Sequence, residues 1–303
     1  MMKFDIIGKK NWFFLLSALA IIPGLISIAM QGFNLGIDFT GGTLLDLKFA
    51  RPVTVTEVRG ALQEYGLGNS TIQLAASEHT ESSPNVFIRT HVLTDDERRA
   101  VLSGVEKSLG SFDTQRVEKV GAVIGSELTK NAIIAVVISW LCMIAYITYR
   151  FEFKFAVSAI IAIAHDILMV VGIFSLLQKE VDASFVAAIL TIVGYSINDT
   201  IVIFDRIREN LKTHSKTESF NQLVNRSIWQ TMTRSIYTVM TVIFTTVALY
   251  VFGGETTKNF SLALLIGFAS GAYSSIFTAS PIWVAWKEYE ERNRIAKKTR
   301  GAK

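Results

Sequence analysis

Six long apolar runs decide what this chain can fold into. They lie near Trp12 to Gln31, Asn131 to Tyr149, Phe155 to Leu177, Ser184 to Phe204, Ser235 to Phe252 and Phe260 to Trp286. At about 1.5 Å per residue, each is long enough to cross about 30 Å of hydrocarbon as a helix, the form that satisfies its backbone polar groups internally. A mean hydropathy of +0.38 over 303 residues excludes an ordinary soluble protein. The first run is longer than a signal-peptide core and shows no small-residue cleavage site, so it reads as a retained anchor. Cys142, the single cysteine, lies within the second run, which rules out an intrachain disulfide.

Lys and Arg favour the cytoplasmic side of short connecting segments, and here their distribution is one-sided. With the N-terminus inside, the cytoplasmic segments hold Lys3, Lys9, Lys10, Arg150, Lys154, six basic residues from Arg206 to Arg234 and seven from Lys287 onward. The opposite short loops hold only Lys179 and Lys258. The net charge of +4 is therefore a topology signal and does not point to nucleic acid. This divides the chain into a cytoplasmic N-terminus (1–11), a first span (12–31), an extracytoplasmic domain (32–130), five spans (131–286) and a basic cytoplasmic tail (287–303). Within the five spans, residues 205–234 form a cytoplasmic segment whose Phe220, Leu223, Val224, Ile228 and Trp229 recur on one helical side. It is expected to lie in the membrane interface with Arg226 toward the headgroups.

The long segment outside the spans reads as a small α+β domain. Leu45, Leu47 and Phe49 alternate with Asp46 and Lys48 as a half-buried strand. Thr54-Val-Thr-Glu57 is a capping box for a helix with Val58, Ala61, Leu62 and Tyr65 on one face. Strands follow near Thr71 to Ala76 and Asn85 to Val92. A second capping box, Thr94-Asp-Asp-Glu97, opens a helix with Val101, Leu102, Val105 and Leu109 inward, and a last strand covers Gln115 to Val120. The order βαββαβ is the ferredoxin-like split unit. His79 and His91 are expected at its surface, and no cluster of His, Cys or paired carboxylates marks it as catalytic. In front of it, GFNLGIDFTGGT (Gly32 to Thr43) carries glycines that suit a turn into a strand. No Lys follows them and no helix is expected to open on them, which argues against a phosphate loop.

Ionisable groups inside spans are costly, about 2.5–3.5 kcal/mol for an acid on the lenient insertion scale, and mark function by default. The fourth span places Thr191, Tyr195, Asn198 and Asp199 at i, i+4, i+7 and i+8, one helical face expected to point into the bundle. Arg234, Thr238, Thr241 and Thr245 form a second stripe at the start of the fifth span, with Arg234 the expected partner of Asp199. The third span carries Ala164-His165-Asp166, open between helix packing and function. His165, Asp166, Tyr195 and Thr238 are grouped as an intramembrane polar network. Ala263, Gly267, Gly271, Ser274 and Thr278 make a small-residue seam for close packing in the sixth span.

GIDFTGGT (36–43) and GYSINDTIVIFDRIREN (194–210), together with AHD at 164–166 and the TxTRS-type stretch 231–235, resemble signature sequences of the SecD/SecF protein-export family. The single small exported domain and the wording of the fourth span resemble SecF more than SecD. The resemblance covers nearly the whole chain and implies a six-span RND-type half-bundle with one extracytoplasmic ferredoxin-like domain, in the bacterial plasma membrane with both termini cytoplasmic. It implies a non-enzymatic accessory of protein export that draws on the proton gradient, with no cofactor or metal. Partners would be SecD, the SecYEG translocon, YajC, YidC, an unfolded preprotein and membrane lipids. Asp199 and Arg234 would be the proton-relay pair with Asn198 as polar neighbour, and Gly36, Asp38, Gly41 and Gly42 the family glycine motif. The chain begins with its own methionine and ends in a basic tail, as expected of a separate subunit.

Three other readings remain. An RND-type exporter of lipids or small molecules would use the same relay, and a passive translocon scaffold would need none. Asp166 and Asp199 on adjacent spans also invite comparison with intramembrane aspartyl proteases, but GYSIND lacks their GxGD pattern.

Overall fold

The computed structural model describes residues 4–74, 82–150, 152–214 and 218–301. His79 and the expected strand end at Ala75 and Ala76 fall outside these residues. In chain order the helices are α1 (Lys10–Gln31), α2 (Ile37–Thr40), α3 (Val55–Gln63), α4 (Asp95–Leu109), α5 (Ala122–Arg150), α6 (Phe153–Leu176), α7 (Ala183–Lys212), α8 (Phe220–Phe252), α9 (Glu255–Ser274) and α10 (Ser280–Gly301). A π turn, Ser275–Ala279, joins the last two. The principal strands are β1 (Gly42–Thr54), β2 (Thr71–Leu74), β3 (Ser82–Thr90) and β4 (Phe112–Val120). Two units result, one of Leu35–Ile134 and one of Met1–Asn34 with Ala135–Lys303.

The smaller unit is a four-stranded antiparallel sheet in the order β2-β3-β1-β4, which is the ferredoxin-like arrangement. Leu45 lies opposite Ile88 and Leu47 opposite Val86, so the alternation of β1 delivers its apolar side to one face. There Val58 and Leu62 of α3 and Val101 and Val105 of α4 close the core. Both capping boxes form. The Thr54 and Thr94 hydroxyls accept from the amides of Glu57 and Glu97, whose carboxylates accept the Thr amides in return.

Among the described residues six helical stretches are long and apolar enough to cross a membrane, and most of their length lies in the larger unit. α6, α7 and α9 pack together, α1 lies along α6, and α8 lies along α7 and α9. Phe155 stacks on Trp283 at 4.4 Å between ring centres, in a core that includes Phe204, Ile207 and the N-terminal Ile6 and Ile7. The small-residue seam serves close packing as expected, since a side chain at Gly267 would strike Ile192 of α7.

One expectation is corrected. The apolar residues from Phe220 do not form a separate interfacial helix. They are the first turns of the 33-residue α8, and Leu223, Val224 and Ile228 are fully buried in the core of this unit. The apolar stripe found protein to pack on instead of lipid: Ile6, Ile7, Ile207 and Trp283 belong to the same core cluster. Arg226 forms a bidentate pair with Glu218.

Candidate intramembrane carboxylate sites

Asp166, on α6, is completely enclosed. Its Oδ2 accepts from Ser196 of α7 at 2.6 Å and from Ser274 of α9 at 2.7 Å. Its Oδ1 accepts from Ser270 of α9 at 2.8 Å and faces His165 Nδ1 at 3.1 Å. His165 Nε2 reaches Ser17 of α1 at 3.1 Å. The carboxyl group thus ties α6, α7 and α9, and His165 adds α1, so that these polar side chains satisfy one another in apolar surroundings. Tyr195 and Thr238 stand apart from this network. The Tyr195 hydroxyl is enclosed without a hydrogen-bond partner while its ring packs on Phe268, and Thr238 donates to the carbonyl of Arg234.

Asp199 is held differently. Its Oδ1 accepts from Ser235 of α8 at 2.6 Å, and its Oδ2 is enclosed without a hydrogen-bond partner. Ser235, next to the expected Arg234, is therefore the residue that reaches it. Among the described residues no ion pair joins Asp199 to Arg234. Arg234 is exposed and lines a cleft of about 340 Å³ with Tyr146, Asp205, Glu209 and Gln230. The polar face of α7 also lies elsewhere than expected. Thr191 and Asn198 are exposed and Tyr195 and Asp199 half-buried, so the face borders this bundle and does not point into it. The α8 stripe Arg234, Thr238, Thr241 and Thr245 is exposed alongside. The two acids share no hydroxyl in these bonds and form no protease-like dyad.

The glycine motif is a backbone device in the smaller unit. Contrary to expectation a short helix does open on it: α2 is a single turn, Ile37–Thr40, capped by Gly36 and Gly41. Gly41 then has φ +70° and Gly42 φ +133°, and a side chain at Gly42 would run into the carbonyl oxygen of Thr90. Only glycine fits that combination of conformation and close approach. Asp38 lies in the first turn of α2 and is partly buried.

Sequence reasoning missed Ser17, Ser196, Ser235 and Ser270 as site residues, and read Ser274 only as part of a packing seam. Serine is small and near-neutral in hydropathy, so it blends into an apolar run. The one available signal was spacing: Ser270 and Ser274 lie at i and i+4, and Ser196 and Asp199 at i and i+3.

The fold and these sites define a polytopic membrane protein with a ferredoxin-like head and carboxylates buried among its spans. Comparison with known proteins narrows the class. The family described as protein export membrane protein SecD/SecF, C-terminal, matches residues 101–289, and the SecD/SecF GG motif matches residues 26–53. The protein translocase subunit SecF of Acidaminococcus fermentans is 51% identical over 293 residues, covering 96% of this chain and 100% of that protein. That of Alicyclobacillus acidocaldarius is 45% identical over 99% of this chain and 97% of that protein. The crystal structure of SecDF, a translocon-associated membrane protein from Thermus thermophilus, superposes with a TM-score of 0.86 at 36% identity. It covers 94% of this chain, which spans 39% of that longer one. The chain belongs to the SecD/SecF family of protein-export membrane proteins, among the SecF subunits of protein translocase.

Proposed function

We propose that this SecF subunit pairs with a SecD half beside the Sec translocon and uses the proton motive force to promote preprotein movement across the plasma membrane. YajC and YidC are further partners in this reading. The head domain lies on the outer side and engages the unfolded preprotein, both termini are cytoplasmic, and the one-sided distribution of Lys and Arg supports that orientation. No cofactor is required and no bond is made or broken in the cargo.

The observation that carries the reading is Asp199. It is a carboxyl group on a spanning helix with one oxygen bound to Ser235 and the other unpartnered, beside an exposed polar stripe. Polar side chains exposed on a spanning bundle are costly against lipid, so the α7 and α8 stripes suit a partner half or a water path. Ionised, Asp199 attracts Arg234 and favours one packing of α7 and α8. Protonated, it loses that attraction, and another packing can win. A membrane potential of 100 mV supplies about 2.3 kcal/mol per charge, enough to shift such an equilibrium tens-fold.

The test is secretion of a reporter preprotein in cells whose only copy of this subunit carries Asp199→Asn. We expect secretion to fall at least tenfold while protein level and association with SecD persist. Unchanged secretion would leave Asp199 a packing residue and favour a passive scaffold.

A further inference from the structure

The glycines of the motif carry no reactive side chain, so what they do lies in what their backbone touches. A side-chain carbon on Gly41 would lie 3.0 Å from the Cα of Ala122 and 3.4 Å from the carbonyl oxygen of Val120, the last residue of β4. One on Gly125 would lie 3.1 Å from the amide nitrogen of Gly41 and 3.1 Å from the carbonyl oxygen of Phe39. The neighbours at both positions are backbone atoms, which cannot swing aside as the end of a side chain does. The single turn of α2 is thus seated on the first turn of α5 through two glycines, inside the smaller unit. From there α5 runs without interruption to Arg150, leaving the smaller unit after Ile134.

Within the larger unit the same helix is held loosely. From Ala135 to Tyr149, Ile147 alone is buried, and Val137, Ile138 and Leu141 are half or more exposed. The chain's other connection to the head is built the opposite way. At the end of α1, Ser27 bonds Ser175 of α6 at 2.8 Å, and Ser175 donates to the carbonyl oxygen of Gly32 at 2.7 Å. Gln31 donates to the carbonyl oxygen of Ser175 at 2.9 Å, and Asn34 to that of Gln178 at 2.9 Å. In lipid, helices are held together by close packing and by bonds of this kind, and a segment with few buried contacts moves at low cost.

We propose that the glycine motif is a joint that fixes the head to the first turns of α5, and that α5 is the arm that moves with the head while α1 stays pinned to α6. The joint is stiff because Gly41 and Gly125 let two backbones meet, and Gly41 also needs its positive φ of +70°. The arm is free to shift because Ile147 is the one residue of its membrane part that the core encloses.

Distances between pairs of spin labels, measured on the full chain in lipid nanodiscs, read the joint and the arm separately. The single cysteine is first replaced, Cys142→Ser, so that only introduced cysteines take the label. Labels at the exposed Arg99 on α4 and Glu127 on α5 report the joint, and we expect one narrow distance. Labels at Leu141 on α5 and Phe244 on α8, both exposed, report the arm, and there we expect a broad distribution. Gly125→Leu should broaden the first distance. Gly125→Ala should broaden it less, and keeps the test open where the larger side chain prevents folding. A narrow distance from Leu141 to Phe244, or a joint distance that stays narrow in the folded Gly125 variants, would overturn the proposal. The secretion arm rests on the function proposed above: Gly125→Leu, or Gly125→Ala in its place, should lower secretion several-fold with SecD association intact, and unchanged secretion would refute the arm's part in that work. The distances do not involve Asp199, so they stand whatever Asp199→Asn does to secretion.

Discussion

Two carboxyl groups on neighbouring spans are separated by the donors around them. Asp166 has four contacts divided between its two oxygens, three from serine hydroxyls and one with the His165 ring. Asp199 takes one hydroxyl bond, from Ser235, on one oxygen. In the head domain the same logic works through backbone amides. The Thr94 backbone amide, and after it the Thr94 hydroxyl, hold the Glu97 carboxyl below the usual glutamate range, and Thr54 with Arg51 does the same for Glu57. A lowered carboxyl contributes stability above its unfolded value and loses it as pH falls through the folded one. Protection of the amides in the first turn of α4, measured as exchange relative to the intrinsic rate at each pH, should therefore persist down to about pH 4 and be lost only below it. In Glu97→Ala that protection should already be reduced at neutral pH. Exchange that ignores both pH and the substitution would remove the capping box as its cause.

At the scale of helices, small residues decide which surfaces meet. A side-chain carbon placed on Gly24 of α1 would lie 2.6 Å from the backbone of Gly172 on α6, and one on Gly172 would lie 3.0 Å from Gly24. One turn along, Ser27 and Ser175 hydrogen-bond at 2.8 Å, while Ser17 meets His165 on the other side of the glycines. Neither helix has an apolar force driving it onto the other in lipid, so this contact rests on close packing and on hydroxyl bonds averaging about 0.6 kcal/mol each. Gly172→Leu should force the two helices apart and cost about 1–3 kcal/mol, read as a lower unfolding temperature in micelles. Unfolding at the original temperature would show that the glycine contact is dispensable.

Over the whole molecule, the larger unit encloses one polar system and leaves another at its edge. Gly194, Asn198 and Thr191 are exposed on α7, and nothing lies within 4 Å of a side-chain carbon built on Gly194. A glycine with no neighbour inside its own chain suits close approach by a second one. Gly194→Leu should leave the unfolding temperature of this chain within about 1 °C, since exposed substitutions usually cost under about 0.5 kcal/mol. The same substitution should weaken co-purification with a SecD half several-fold. Retained association would place the SecD contact elsewhere on the bundle.

Much of this architecture was legible because it is written in short windows. A twenty-residue apolar run announces a span, alternation announces β1, and Thr-x-x-Glu announces the starts of α3 and α4, each from neighbours within a few residues. The signature around Asp199 and the glycine motif marked the family in the same local way. What the tertiary structure alone decided depends on how helices far apart in sequence are rotated against each other. Ser235 reached Asp199 where Arg234 was expected, because one residue along a helix turns a side chain by about 100°. The Phe220 stripe went into the core because Ile6, Ile7 and Trp283, distant in sequence, came together to receive it. The hydroxyls on Asp166 arrive from residues 30 to 108 positions away, and serine leaves no trace in hydropathy to predict such a meeting.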